Sequence, residues 1–193
     1  PALSFEELGQ LSRVGTQVLH ESAVEPVRVR HIPLQIRSTF RPDLPGTLIR
    51  TRHDGASGIA GFAGRRRMAM LRIHGAPPGA PAEALRALGE EPFCLSETLG
   101  QTTVLLDMGS GAETATLAAR LRAQLPGAEV TLRENLAVLA AICRTSDAIP
   151  PVLQAVESAG VPIHHLLRCA PGLLMIVNDS QYETALRSAS VSK

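Results

Sequence analysis

Aromatic side chains are almost missing from this sequence: they make up 3% of 193 residues, and tryptophan is absent. A base-stacking platform for single-stranded nucleic acid is therefore not expected, and the core has to be assembled from Leu, Val, Ile and Ala. Net charge is equally scarce, since 19 Lys and Arg meet 18 Asp and Glu. No bulk electrostatic pull toward nucleic acid or an anionic membrane follows. Cysteine is limited to Cys94, Cys143 and Cys169, far apart and in apolar surroundings. Without a Cys-x-x-Cys pair, reduced and buried thiols are expected rather than structural zinc or a redox dithiol. Apolar runs stay short of the roughly 20 residues that cross a bilayer, and the first residues form no basic-then-apolar leader. The expected setting is the cytoplasm, with neither nucleic acid nor membrane as a partner.

What is present reads as globular protein: 45% hydrophobic and 19% charged residues, enough chain for one large or two small cores. Residues 4–30 carry a helical pattern in one or two pieces, opened by Ser4 with Glu7 three positions on, a capping box. Ile32 to Ser38 alternates as a strand. Pro42, Pro45 and Gly46 break it, and Thr47 to Ile49 returns. Polar, glycine-rich residues 51–58 read as a linker, so the expected division is 1–50, a linker at 51–59, then 60–133 and 134–193.

After the linker the pattern is stated twice. The first statement is a strand at Met68–Ile73, a turn at Pro77-Pro78-Gly79, and a helix with Ala82, Leu85 and Leu88 on one face. Strands at Phe93–Ser96 and Thr102–Asp107 follow, then a helix opened by Ser110 with Glu113 and striped by Leu117, Leu121 and Leu125. A closing strand is expected at Glu129–Leu132. The second statement runs through Leu136–Ile142, a turn at Thr145-Ser146-Asp147, a helix with Val152 and Val156, strands at Ile163–Arg168 and Leu173–Val177, and a helix with Tyr182, Ala185 and Ala189. A constant offset of 71 residues pairs Leu71 with Ile142, Gly89 with Gly160 and Leu105 with Ile176. The plan is α+β, two ferredoxin-like βαββαβ units.

Several residue groups invite chemistry. The turn Gly75–Pro81 leads into a helix, so the N–H groups of Gly79, Ala80 and Ala82, with the positive end of the helix dipole, suit a carboxylate. A tight connection explains the same spacing. Thr145, Ser146 and Asp147 precede a proline-started helix and meet N-cap preferences. Gly109-Ser110-Gly111 lacks the third glycine of a dinucleotide loop and reads as a cap. His164 and His165, adjacent on a strand, point to opposite faces and cannot share one metal ion.

The front of the chain carries Val14-Gly15-Thr16-Gln17-Val18-Leu19-His20, then Arg37-Ser38-Thr39-Phe40, then Pro45-Gly46-Thr47-Leu48-Ile49. That order and spacing resembles the end of the catalytic domain of aspartate kinases, which leads into paired ACT regulatory domains. The resemblance covers nearly the whole chain and implies feedback control of lysine, threonine and methionine biosynthesis by an amino-acid effector, lysine and/or threonine. It implies effector contacts at Pro78, Gly79, Ala80 and Ala82, at Ser96, Glu97 and Thr98, and in the second unit at Thr145, Ser146 and Asp147. The acidic residue usual before that Pro-Gly is replaced by Ala76 or Pro77, and Glu97 is placed to supply its charge. Gln17 and Val18 mark the nucleotide-proximal remnant. With Gln17 in place of the family's lysine and no upstream phosphate loop in this sequence, the chain alone is expected to be inactive, without catalytic residues, metal or cofactor of its own. ATP and magnesium are implied only for a parent kinase domain. A homodimer through the ACT units is expected, since it covers sheet edges, with an aspartate kinase catalytic domain as a further partner. The alternatives are a ligand-free dimerisation scaffold and a fragment of an active aspartate kinase.

Overall fold

A computed structural model describes residues 2–15, 21–51, 58–107, 111–169 and 172–191. Three short strands, β1 (Ala2–Ser4), β2 (Leu34–Ile36) and β3 (Thr47–Arg50), form a sheet in the order β1-β3-β2. β1 runs parallel to β3 with Leu3 beside Ile49, and β2 pairs antiparallel with Leu34 beside the same residue. Helices α1 (Phe5–Val14) and α2 (Glu21–Val29) accompany this sheet, and Phe5, Leu8 and Ile49 form its apolar centre with Val24, Val27 and Leu34 against them. The capping box is in place: Ser4 N–H donates to Glu7 Oε2 at 2.7 Å, and Glu7 N–H donates to Ser4 Oγ at 3.1 Å.

The rest of the described chain comprises β4 (Ile59–His74), α3 (Ala80–Ala87), β5 (Cys94–Thr98), β6 (Gln101–Asp107), α4 (Gly111–Gln124) and β7 (Glu129–Cys143). These are followed by α5 (Ile149–Ser158), β8 (His165–Cys169), β9 (Gly172–Asn178) and α6 (Tyr182–Val191). The chain divides into two compact units. One, the inserted unit, holds Arg66–Ala137 and Asn178–Ser180; the outer unit holds Pro1–Arg65, Val138–Val177 and Gln181–Lys193.

In the inserted unit the order along the chain is β4, α3, β5, β6, α4, β7, the complete βαββαβ plan, with strands arranged β5-β6-β4-β7. β4 and β6 pair antiparallel, Leu71 opposite Val104. The helical stripe does what its spacing predicts. Leu117, Leu121 and Leu125 of α4 and Leu85 of α3 pack with Leu71, Ile73, Val104 and Val130 in one core. At the end of α4, Arg122 donates through Nε and Nη2 to the Val130 carbonyl at 3.1 and 2.9 Å. That guanidinium ties the helix to β7.

In the outer unit the strand order is β4-β7-β9-β8. Its fourth strand comes from Ile59–Arg65, ahead of the insertion, so this sheet is assembled from chain segments on both sides of it. Small residues make that segment fit. A Cβ at Gly64 would collide with the Tyr182 ring of α6, and Gly61 lies under Leu11. Val138 to Ala141, Val152, Val156 and Leu173 to Val177 are buried.

Three features differ from the sequence reading. β1 was not expected, because three residues are too short to show a period. β4 begins at Ile59, well before Met68. The expected strands at Glu129–Leu132 and Leu136–Ile142 are one strand, β7, in which Asn135 takes a left-handed conformation (φ 57°). Asn accepts that conformation more readily than most residues. The Ser110 cap, most of the linker (52–57) and Pro171 lie outside the described residues.

Candidate functional site

The turn after β4 is shaped by backbone. Gly75 and Gly79 both have positive φ (78° and 81°), which a side chain would resist. Gly75 N–H donates to the Gly100 carbonyl at 3.1 Å, so the turn sits beside the β5–β6 hairpin. Gly79 is the N-cap of α3, and with no side chain it caps nothing itself. Its N–H donates instead to Glu97 Oε1 at 2.8 Å. The Ala80 N–H is taken by the Pro77 carbonyl at 3.1 Å. The donors read from sequence as open to a ligand carboxylate are thus partly used, because a carboxylate of the chain has the same affinity for a helix N-terminus.

Glu97 reaches the turn because β5 pairs with β6 in a register that sets Glu97 opposite Thr102 and Thr98 opposite Gln101. Together these groups line a cavity of about 240 Å³ bounded by Ala76, Pro78, Glu97, Thr98, Gly100 and Thr102, among others. Glu97 is the one charged residue in that lining. Thr102, 3% exposed, gives a buried hydroxyl. The chemistry offered is a carboxylate, threonine hydroxyls and an apolar floor from Ala76 and Pro78. It complements an ammonium group joined to a short chain.

Of the residues predicted for effector binding, the structure brings Pro78, Gly79, Glu97 and Thr98 together. Ser96 pairs with Thr103 on the neighbouring strand, and Ala80 packs against the core; neither borders the cavity, nor does Ala82. Gln17 and Val18 lie outside the described residues.

In the outer unit the corresponding turn is held by side chains. Thr145 Oγ1 accepts from Gly58 N–H at 3.4 Å, and Arg144 N–H donates to the Gly58 carbonyl at 2.8 Å. Ser146 Oγ accepts from Arg168 Nη2 at 3.3 Å. The expected capping role is not what Thr145, Ser146 and Asp147 perform. A single 3-10 turn (Ser146–Ala148) intervenes, α5 starts at Ile149 from an Ala148 N-cap, and no side-chain cap bond is made at either start. That extra turn carries the three polar side chains too far from the N–H groups of α5.

Just before it stands a residue that sequence reasoning missed. Arg144 Nε donates to Glu7 Oε1 at 2.7 Å, and its Nη2 donates to the Ala2 carbonyl at 3.0 Å. Their side chains are only 15% and 8% exposed. Glu7 is therefore both the capping partner of Ser4 and the counter-ion of an arginine 137 positions away. No local pattern announces a pair at that separation.

No protein-family model matches the chain. Aspartokinase 2 of Arabidopsis thaliana, a chloroplastic protein, is 24% identical over 97% of this chain and 38% of its own length. The aspartokinase of Corynebacterium efficiens is 34% identical over 54% of this chain and 26% of its own length. The chain thus spans well under half of the curated relatives it matches. Among solved structures, Clostridium acetobutylicum aspartate kinase superposes with a TM-score of 0.86 at 21% identity, covering 99% of this chain and 48% of that one. Escherichia coli aspartokinase III in complex with lysine and aspartate gives 0.76 at 22% identity, covering 97% and 45%. The ligand-free regulatory subunit of Thermus thermophilus aspartate kinase gives 0.60 at 21% identity, covering 70% of this chain and 98% of the subunit. The fold is that of ACT-type regulatory domains; the chain is similar to aspartokinases over nearly its whole length and to a separate aspartate kinase regulatory subunit over 70% of it.

Proposed function

We propose that the chain is the regulatory part of an aspartate kinase, and that the cavity at Pro78 and Glu97 takes an amino-acid effector, lysine and/or threonine. Binding there provides feedback control of lysine, threonine and methionine biosynthesis. The observation that carries this reading is the meeting of two separate segments, the turn after β4 and the end of β5, in one cavity whose only charge is a carboxylate. The effector's ammonium pairs with Glu97 and its carboxylate competes with Glu97 for the Gly79 N–H. The complex of the Escherichia coli enzyme with lysine supports an amino acid as the ligand class. Thr145, Ser146 and Asp147 form a second candidate position in the outer unit.

The working unit in this reading is a homodimer joined through its ACT units, in the cytoplasm, attached to or associated with a kinase domain. ATP and magnesium belong to that domain, and this chain alone makes no 4-phospho-aspartate. An effector shifts the kinase only by binding its two states unequally. The competing reading, a ligand-free scaffold, draws on the Gly79 donor being already engaged.

Thermal unfolding with lysine, threonine and methionine separates the two. An effector at 100 times its dissociation constant adds about 2.7 kcal/mol to stability, an upward shift of several degrees for a domain of this size. A melting temperature unmoved by all three supports the scaffold.

A further inference from the structure

The front segment, β1 to β3 with α1 and α2, has an apolar centre of its own. That core is built on Phe5, Leu8 and Ile49, and every member of it lies between Leu3 and Ile49. A sheet with helices on one buried core is a body in its own right, here within the outer unit. Where this body meets the outer sheet, the facing surface is bare. Leu11 of α1 lies on Gly61, and a Cβ at Gly15 would collide with the Gly64 carbonyl. Glycine in a strand lets another backbone approach closely and offers no side chain to interlock with it. Such a contact sets a distance and leaves orientation open.

Orientation comes from Arg144. In the repeat it stands where the first copy has Ile73, a core residue of the inserted unit. An arginine at that position serves something outside the repeated pattern. Its Nε donates to Glu7 Oε1 at 2.7 Å, and its Nη2 donates to the Ala2 carbonyl at 3.0 Å and to Glu7 Oε2 at 3.4 Å. Its backbone N–H donates to the Gly58 carbonyl at 2.8 Å. One residue thus fastens the first strand, the first helix and the approach to β4. A planar fork of donors fits a carboxylate in few geometries. The pair is well buried, its side chains 15% and 8% exposed, and a buried pair defines an arrangement more than it adds net stability.

We propose that Arg144 is a latch: its pair with Glu7 holds the front segment in one orientation on the outer sheet, and without the pair the segment turns as a body about the glycine contact while its own core stays folded. Movements of this kind need only a few residues at the junction to change. The inference rests on the proposed function for the meaning of the turn alone. The front segment is the part that resembles the end of a kinase catalytic domain, so turning it is a way for the outer sheet to reposition that domain.

The test is measurement of amide residual dipolar couplings on the full ¹⁵N-labelled chain in a stretched polyacrylamide gel, for the parent, Arg144→Ala, Arg144→Lys and Glu7→Gln. In the parent, the amides of α1, β3, α5 and β9 are expected to fit one alignment tensor. In Arg144→Ala, α1 and β3 are expected to fit a tensor of their own, with smaller couplings, and α5 and β9 to keep the parent values. Arg144→Lys retains the ion pair and is expected to return most couplings to those of the parent. Glu7→Gln breaks the pair more gently and is read in the same way where Arg144→Ala does not fold. A single tensor for all four elements in the broken pair, with only a lower melting temperature, overturns the latch and leaves Arg144 a stabilising contact. Two tensors already present in the parent overturn it too, as does unfolding of α1 and β3 in a variant whose α5 and β9 stay folded. None of these measurements uses a ligand, so a failed latch leaves the effector cavity standing, and a chain that binds no amino acid leaves the latch standing.

Discussion

At the end of β4 the turn Gly75–Pro81 is held by glycines and backbone bonds, and a single carboxylate, Glu97, closes over it. At the end of β7 side chains join the backbone bond between Arg144 and Gly58 in holding the equivalent turn: Thr145 on Gly58, Arg168 on Ser146, and behind them Arg144 on Glu7. One repeat has kept a cavity at this position and the other has made a clasp that ties β7 to the first residues of the chain. Duplicated units share a fold because they share an apolar pattern, and they diverge at turns, where a few polar side chains change the chemistry without touching the core.

Opening the clasp is expected to have the largest effect. Arg144→Ala takes the arginine away from a buried carboxylate, and a loss of up to about 3–5 kcal/mol in urea unfolding is expected. Glu7→Gln, which keeps a hydrogen-bond acceptor, is expected to cost less. If both cost under ~1 kcal/mol, the pair behaves as a surface contact and the clasp is not structural. Ser4→Ala comes next, with an expected loss of about 1 kcal/mol from the lost N-cap. In the Arg144→Ala background the two losses are expected to be non-additive, since Glu7 serves both partners.

The smallest effect concerns the ion pair of the inserted unit. Hydrogen bonding from the Arg66 side chain lowers the Asp179 pKa from its ordinary 3.8; burial opposes it, and the Arg67 N–H with the charges of both arginines adds to the lowering. A depressed carboxyl contributes stability that is fully present above the unfolded value and lost as pH falls through the native one. Asp179→Asn is therefore expected to be slightly less stable than the parent at pH 7, with the difference shrinking as pH falls below 3.8 and through the lowered native value. The Arg66 side chain is 50% exposed, so salt reduces the effect. A difference that does not shrink at all as pH falls through the acid range would assign the loss to packing.

What the sequence disclosed followed from local rules. Ser4 and Glu7 sit three apart, as a capping box needs, and the stripe of Leu117, Leu121 and Leu125 becomes core. Glu97 was linked to the Pro78-Gly79 turn by the family resemblance alone, and the β5–β6 register brings them to one cavity. What it hid depends on distance or on exceptions. Arg144 finds Glu7 only once the fold exists. Glu134-Asn135 reads as a break between strands, and the chain passes through it by a left-handed residue. Gly61 and Gly64, which look like strand breakers, are the small residues that let Ile59–Arg65 fit beneath Leu11 and Tyr182.

If the proposed function holds, the effector binds more tightly at the Glu97 turn than at the second candidate position, Thr145–Asp147. Calorimetric titration of the chain with its effector, repeated in Glu97→Gln and in Ser146→Ala, tests it. Removing a charged hydrogen-bond partner is expected to weaken binding about 10- to 100-fold in Glu97→Gln and to leave Ser146→Ala within about twofold, as for a residue that makes no contact with the ligand. Undiminished affinity in Glu97→Gln, with binding lost in Ser146→Ala, would contradict it.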